Sequence, residues 1–221
     1  MIIEFDLDAP DKPKPTRLRF RNETRCVTAL YERCYESSDD TGQAWKILVE
    51  VVGTITKPTI RNLIGVMTIQ ISGDVEAFFS LHTRARTERA LDYLMDGIEK
   101  VIEEKGWNVS SFYQARDQVR YRRYVNEWIW KSPIPNKSKK FTAEVLVEHE
   151  VTQARISVRF RDNDQAVVGV KHLVSDEPNE FIFDAYLGQL RWLNESTVEL
   201  ISRDGTKRFS AQITGSSSDG S

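Results

Sequence analysis

The residues best suited to chemistry lie together in one segment, from Tyr113 to Lys140, where cations and aromatic rings are interleaved. This segment, the basic-aromatic belt, holds eight lysines and arginines against two carboxylates, although the whole chain of 221 residues has a formal net charge of -2. Guanidinium and ammonium groups bind carboxylates and phosphates, while Tyr and Trp rings anchor protein interfaces or stack on unpaired bases. The belt is therefore the predicted binding surface of the chain.

Two kinds of macromolecule fit this chemistry. Trp, Tyr and Arg carry much of the binding free energy at protein interfaces, which favours a protein partner. A dedicated nucleic-acid binder is usually basic as a whole, and this chain is not, so binding of nucleic acid through belt 113–140 is the alternative. The predicted partner-binding residues are Tyr121, Arg122, Arg123, Tyr124, Trp128 and Trp130.

A second group of cations surrounds the predicted start of a helix near Thr87. Free backbone N–H groups at a helix N-terminus attract anions, and guanidinium groups add to that attraction. The segment has no glycine-rich loop of the kind that wraps a phosphate. The predicted anion site consists of Arg84, Arg86 and Arg89.

Signatures of catalysis and of metal binding are missing from the sequence. It has no GxSxG elbow, P-loop, HExxH or GxGxxG after a strand, and its two cysteines and three histidines lack metal-ligand spacing. The strand patterns around His149 and His172 predict that both are core residues. We therefore predict a non-catalytic protein without metal or cofactor, with a hydrolase or nuclease of unrecognised type as a second alternative.

Short runs of alternating apolar and polar residues predict that the first 72 residues form strands. A hairpin is predicted at Ser72-Gly73-Asp74, leading into a short apolar run at 76–82. The predicted strands are residues 2–7, 16–20, 25–31, 45–52 and 63–72.

The clearest helix follows, because six apolar residues between Leu91 and Ile102 recur at helical spacing. Thr87 is its predicted N-cap, and Gly106 is predicted to end the helix in the left-handed backbone conformation. Gly97 inside it costs about 1 kcal/mol relative to alanine, so packing of the apolar stripe on the N-terminal sheet must hold the helix. For 110–128 we favour a second helix over an aromatic strand.

Pro133 and Pro135 predict that residues 132–140 form a basic linker. Beyond it, turn residues separate short strands, and Asp204-Gly205 predicts a tight hairpin. We therefore predict an α+β fold, with a mixed or antiparallel N-terminal sheet and one or two helices (1–131), then a C-terminal antiparallel β meander (141–214) and a flexible tail (215–221). The predicted C-terminal strands are residues 141–151, 154–160, 165–173, 180–186, 197–202 and 207–213.

The first residues lack both the cationic start and the apolar run of a secretory signal, and no window approaches a transmembrane span. We expect a cytoplasmic protein without membrane contact. The combination of this location, the belt and the missing catalytic signatures predicts a protein-binding module. By analogy of size and class alone, it would be an inhibitor or an immunity-type protein that neutralises its partner.

Overall fold

The computed structural model describes residues 2–36 and 41–213, and the predicted tail lies outside them. The chain has an α+β fold that divides into two compact units. Unit 1 comprises Met1–Asn126 with Glu150–Thr152, and unit 2 comprises Glu127–His149 with Gln153–Ser221.

Unit 1 is built on a mixed sheet of four strands. These are β1 (Glu4–Asp8), β2 (Lys46–Val52), β3 (Arg61–Leu63) and β4 (Val66–Ser72). Their order is β1-β2-β4-β3, with β1, β2 and β4 parallel and the short β3 antiparallel to β4. The mixed N-terminal sheet agrees with the prediction, as do its strands β1, β2 and β4.

The strands predicted at 16–20 and 25–31 are wrong, because both segments belong to one long helix, α1 (Lys14–Cys34). Its buried apolar residues Phe20, Val27 and Leu30 recur at intervals of seven and three residues, which places them on one helical face over a longer stretch than either predicted strand. The parallel pairing of β1 with β2 also requires a crossover connection, which α1 provides.

Side chains of α1 also cover the outer edge of β1. The Phe5 N–H donates to Glu32 Oε1 at 2.8 Å, and Arg25 donates to the Phe5 carbonyl at 3.2 Å. Arg25 and Glu32 form an ion pair at 2.8 Å, and burial raises the pKa of Glu32. The N–H and carbonyl groups of Phe5, which could otherwise pair with another strand, are thus satisfied within the unit.

Three helices follow β4: α2 (Val75–Ser80), α3 (Thr83–Lys105) and α4 (Ser110–Tyr121). The hairpin predicted at residues 72–74 is wrong, because Asp74 Oδ1 accepts the Glu76 and Ala77 N–H groups and caps α2. The start of α3 lies one turn before Thr87, with His82 as N-cap. Its left-handed end at Gly106 (φ 67°) is confirmed, and so is a helix over the first part of 110–128.

The apolar stripe of α3 packs on β2 and β4, as predicted, and Gly97 lies at the closest approach. A Cβ added at Gly97 would lie 2.3 Å from Val49 Cγ2. The absence of a side chain therefore brings α3 into contact with the middle of the sheet. This contact offsets the low helix propensity of glycine.

Unit 2 is an antiparallel β structure of two sheets, as predicted for the C-terminal part of the chain. One sheet contains β5 (Glu127–Pro135), β6 (Phe141–His149), β7 (Ala154–Asp162) and β8 (Val167–Asp176) in sequence order. The other has the order β11-β10-β9, formed by β9 (Gln189–Trp192), β10 (Thr197–Ile201) and β11 (Arg208–Gln212). Buried residues of both sheets share the same core clusters.

Turns and one short helix connect these strands. Gly205 has φ 74° in the turn between β10 and β11, which confirms the Asp204-Gly205 hairpin. The strand predicted at 180–186 is wrong, because Asn179 caps a short helix, α5 (Glu180–Phe183), followed by a 3₁₀ turn. The four-residue β9 was not predicted.

The structure places residues 132–140 in a hairpin rather than in a linker. Pro133 and Pro135 belong to β5, which is an edge strand and tolerates prolines because one side of it makes no ladder bonds. Asn136 is buried in the following turn, where its side-chain oxygen accepts the Phe141 N–H at 3.2 Å.

The close contact between α3 and β2 predicts the effect of replacing Gly97. Helix propensity alone predicts that Gly97→Ala stabilises the fold by about 1 kcal/mol. The overlap with Val49 instead predicts a loss of about 1–3 kcal/mol in the free energy of unfolding, measured by urea denaturation. Val49→Ala should cost less in the Gly97→Ala background than in wild type, and strict additivity of the two changes would contradict this packing.

Candidate interaction surface

The candidate surface is the turn that ends α4, residues 121–124. The Arg123 N–H donates to the Arg120 carbonyl at 2.9 Å and the Tyr124 N–H to the Val119 carbonyl at 3.1 Å, which is the Schellman pattern. Arg123 has φ 53° and Tyr124 has φ 63°. The left-handed conformation costs a residue with a side chain about 1–2 kcal/mol, and the first of these positions is usually glycine. The turn is therefore strained at two successive residues.

Arg84, in the first turn of α3, holds this strained backbone. Its Nη1 donates to the Arg123 carbonyl at 2.8 Å, and its guanidinium carbon lies 4.4 Å from the centre of the Tyr124 ring. Glu88 accepts from Arg84 Nε at 2.7 Å and fixes the orientation of the guanidinium group. The Tyr124 ring also packs against the core of unit 1. Hydrogen bonding, cation–π contact and packing thus act on the same two residues.

The chain that leaves the turn is anchored to α1. Asn126 is buried, and its Nδ2 donates to the Cys26 carbonyl at 2.8 Å. Its Oδ1 accepts a hydrogen bond from Arg33. The turn is therefore fixed on both sides, by Arg84 before it in sequence and by Asn126 after it.

The fixed turn presents an aromatic ring and two cations to solvent. The Tyr121 side chain is on the surface, with 84% of the residue exposed, and Arg122 and Arg123 are exposed beside it in sequence. Within residues 2–36 and 41–213, neither arginine forms an ion pair. Two guanidinium groups thus remain available for carboxylates of a partner.

The six predicted partner-binding residues are divided between the two units. Tyr121, Arg122, Arg123 and Tyr124 belong to unit 1, whereas Trp128 and Trp130 belong to unit 2. Both tryptophans are half-buried against a core cluster of unit 2, and the Trp128 ring lies 6.2 Å from that of Phe183. The belt is therefore continuous in sequence but divided between the two units.

The three arginines of the predicted anion site contact different groups. Arg84 supports the turn, and Arg86 forms a largely buried ion pair with Glu23 at 2.7 Å. Arg86 also donates to the carbonyls of Leu81 and Phe79. Arg89 lies over the Tyr93 ring, at 5.7 Å. These contacts give Arg84 and Arg86 roles in holding unit 1 together.

The histidines differ from one another in their environments. His149 is buried, with Nε2 3.1 Å from the Pro178 carbonyl and its ring 5.2 Å from that of Phe183, which confirms a core histidine. The same prediction for His172 is wrong: it is exposed on the edge strand β8, 3.3 Å from Ser175 Oγ. Cys26 and Cys34, both on α1, form no disulfide within the described residues.

The described residues show neither a cluster of metal-binding side chains nor a helix that could span a membrane. They contain no group of three or more His, Cys, Asp or Glu side chains that could hold a metal ion. None of the helices among them has both the length and the apolar character needed to cross a membrane. Comparison with known proteins finds no matching family model, curated protein or solved structure. The chemistry of the turn is therefore the basis for inferring function.

The strain in the turn predicts opposite effects for two glycine substitutions. Arg123→Gly should raise the free energy of unfolding by about 0.5–1 kcal/mol, because glycine adopts the left-handed conformation without steric cost. Arg122→Gly is the matched control, because Arg122 has φ -71° and should lose about 0.5–1 kcal/mol. Both variants remove one cation, so urea denaturation separates strain from charge. A loss of stability in both variants would contradict the strained turn.

Proposed function

We propose that this chain is a non-catalytic, cytoplasmic protein-binding module of the inhibitor or immunity type. It binds an acidic protein partner through the surface formed by residues 121–124. The observation that carries the proposal is the strained turn, in which two successive residues with side chains take the left-handed conformation while an aromatic ring and two cations face solvent.

Strain of this kind persists only where the surrounding structure imposes it, and it is often found at binding sites. Within the described residues, Arg123 forms its hydrogen bonds through its main chain, so its side chain is not needed to close the turn. Glycine would close the same turn at lower cost. The Arg123 side chain therefore serves an interaction outside the turn.

The composition of the surface suits a protein partner. Tyr and Arg are among the residues most enriched at the centres of protein interfaces, and Arg binds carboxylates in a bidentate manner. A platform for single-stranded nucleic acid instead stacks successive bases on several rings. On this turn Tyr121 is exposed, whereas the Tyr124 ring packs between Arg84 and the core. An acidic protein therefore fits the surface better than a nucleic acid.

The test is a comparison of two double charge reversals. Wild type, Arg122→Glu with Arg123→Glu, and Lys14→Glu with Arg21→Glu are immobilised and exposed to nuclease-treated lysate. The second pair is the matched control, because Lys14 and Arg21 are exposed cations on α1 outside the turn. A protein partner should be retained by wild type and by the control and lost from the turn variant. With the purified partner, the turn variant should raise Kd by at least about 100-fold, since like charges facing each other cost several kcal/mol.

Two results would contradict the proposal. Equal retention of the partner by all three proteins would show that the turn is not the binding surface. Capture of material from untreated lysate, with none from nuclease-treated lysate, would replace the protein partner by nucleic acid. Circular dichroism of each variant confirms that the fold is kept.

A further inference from the structure

Unit 2 contains a cleft of about 480 Å³, independent of the turn in unit 1. It lies between β5 and the segments that flank β9 and β10. This volume lies within the range of sites that bind small ligands or peptide side chains. Its lining includes Trp130, Lys131, Gly188, Gln189, Ser202 and Arg203.

The cleft lies where the two sheets of unit 2 each end in an edge strand. In the part of the chain that the structure describes, β5 pairs only with β6 and β9 pairs only with β10. Side chains bridge the two edges: Lys131 Nζ donates to the Gly188 carbonyl at 3.4 Å, and Trp192 Nε1 donates to the Ile134 carbonyl at 3.0 Å. Edge strands of this kind can add an extended segment of another chain.

The cleft is positively charged. Lys131 and Arg203 are its cations, and none of the described residues that line it is a carboxylate. Arg203 is partly neutralised by Asp184 at 3.2 Å, whereas Lys131 forms no ion pair within residues 2–36 and 41–213. The Lys131 ammonium instead lies 4.2 Å from the centre of the Trp130 ring. A ligand carboxylate would therefore meet an uncompensated cation beside an aromatic surface.

Local backbone geometry directs Lys131 toward this cleft. Lys131 has φ 59°, and the pairing of β5 with β6 shifts register between Trp130 and Ile134. On the opposite wall, a Cβ added at Gly188 would lie 2.5 Å from the Ile201 carbonyl oxygen. A bulged edge strand often redirects a side chain. Here the bulge places a cation against the glycine-lined wall.

From this arrangement we propose that the cleft binds an extended acidic peptide segment of a partner protein. The peptide main chain lies along the edge of β5 next to Lys131, one of its carboxylates binds Lys131, and a neighbouring apolar side chain packs on Trp130. Charge complementarity selects an acidic segment over a basic or neutral one. Because the site lies in unit 2, a failure of the proposed binding at the turn in unit 1 would not contradict it.

Fluorescence anisotropy with a labelled peptide that alternates valine and glutamate tests the proposal on the full chain. The matched control for Lys131→Glu is Lys139→Glu, because Lys139 is also exposed, also has φ 59° and lies in the same unit outside the cleft lining. Lys131→Glu should raise Kd at least about tenfold, while Lys139→Glu should change it less than about twofold. Arg122→Glu with Arg123→Glu should leave peptide binding unchanged.

Three results would overturn the peptide site. The first is no saturable binding of the acidic peptide to wild type. The second is an equal loss in Lys131→Glu and Lys139→Glu, which would show general attraction between charges. The third is equal binding of a peptide with lysine in place of glutamate, or of a single-stranded oligonucleotide with the same charge as the acidic peptide.

Discussion

Unit 1 depends on the close approach of α3 to the parallel sheet, where Gly97 lies against Val49. This contact fixes the long axis of α3, and the first turn of the same helix carries Arg84. Thirteen residues of helix separate Gly97 from Arg84, roughly 20 Å along the axis. A packing constraint in the middle of the core therefore sets the position of the guanidinium group that holds the turn after α4. The position of the exposed residues on the candidate surface therefore depends on Gly97, although Gly97 contacts none of them.

The turn combines local instability with rigid support. Two left-handed residues with side chains cost roughly 2–4 kcal/mol together, a large share of the 5–15 kcal/mol by which domains are usually stable. Arg84, the packed Tyr124 ring and buried Asn126 stabilise the conformation from three directions. Such support orders the turn before any partner binds, which reduces the conformational entropy lost on association. This preorganisation distinguishes the turn from a merely basic stretch of surface.

Local patterns in the sequence predict the parts of the fold that depend on local physics. The stripe of α3, its end at Gly106 and the Asp204-Gly205 hairpin follow from helical spacing and from left-handed glycine. By contrast, short segments of α1 show the alternation typical of two strands, and its buried helical face becomes evident only over all 21 residues. The prolines of β5 indicate a linker unless its place at a sheet edge is known.

The composition of the sequence predicts the candidate site, but it does not predict the geometry of the turn. Interleaved arginines and aromatics drew attention to 121–130, yet no feature of the sequence marks the unit boundary between Asn126 and Glu127. Positive φ at Arg123 and Tyr124 is unexpected because neither residue is glycine, and their support comes from Arg84, distant in sequence.

If the turn binds a protein partner as we propose, exposed Tyr121 contacts that partner. Site-specific photo-crosslinking in cells tests this contact, with the reactive group placed at position 121. The control places it at Val109, which is exposed and is the N-cap residue of α4. We expect one protein adduct from position 121 and none from 109; no adduct from 121, or the same adduct from both, would contradict the account.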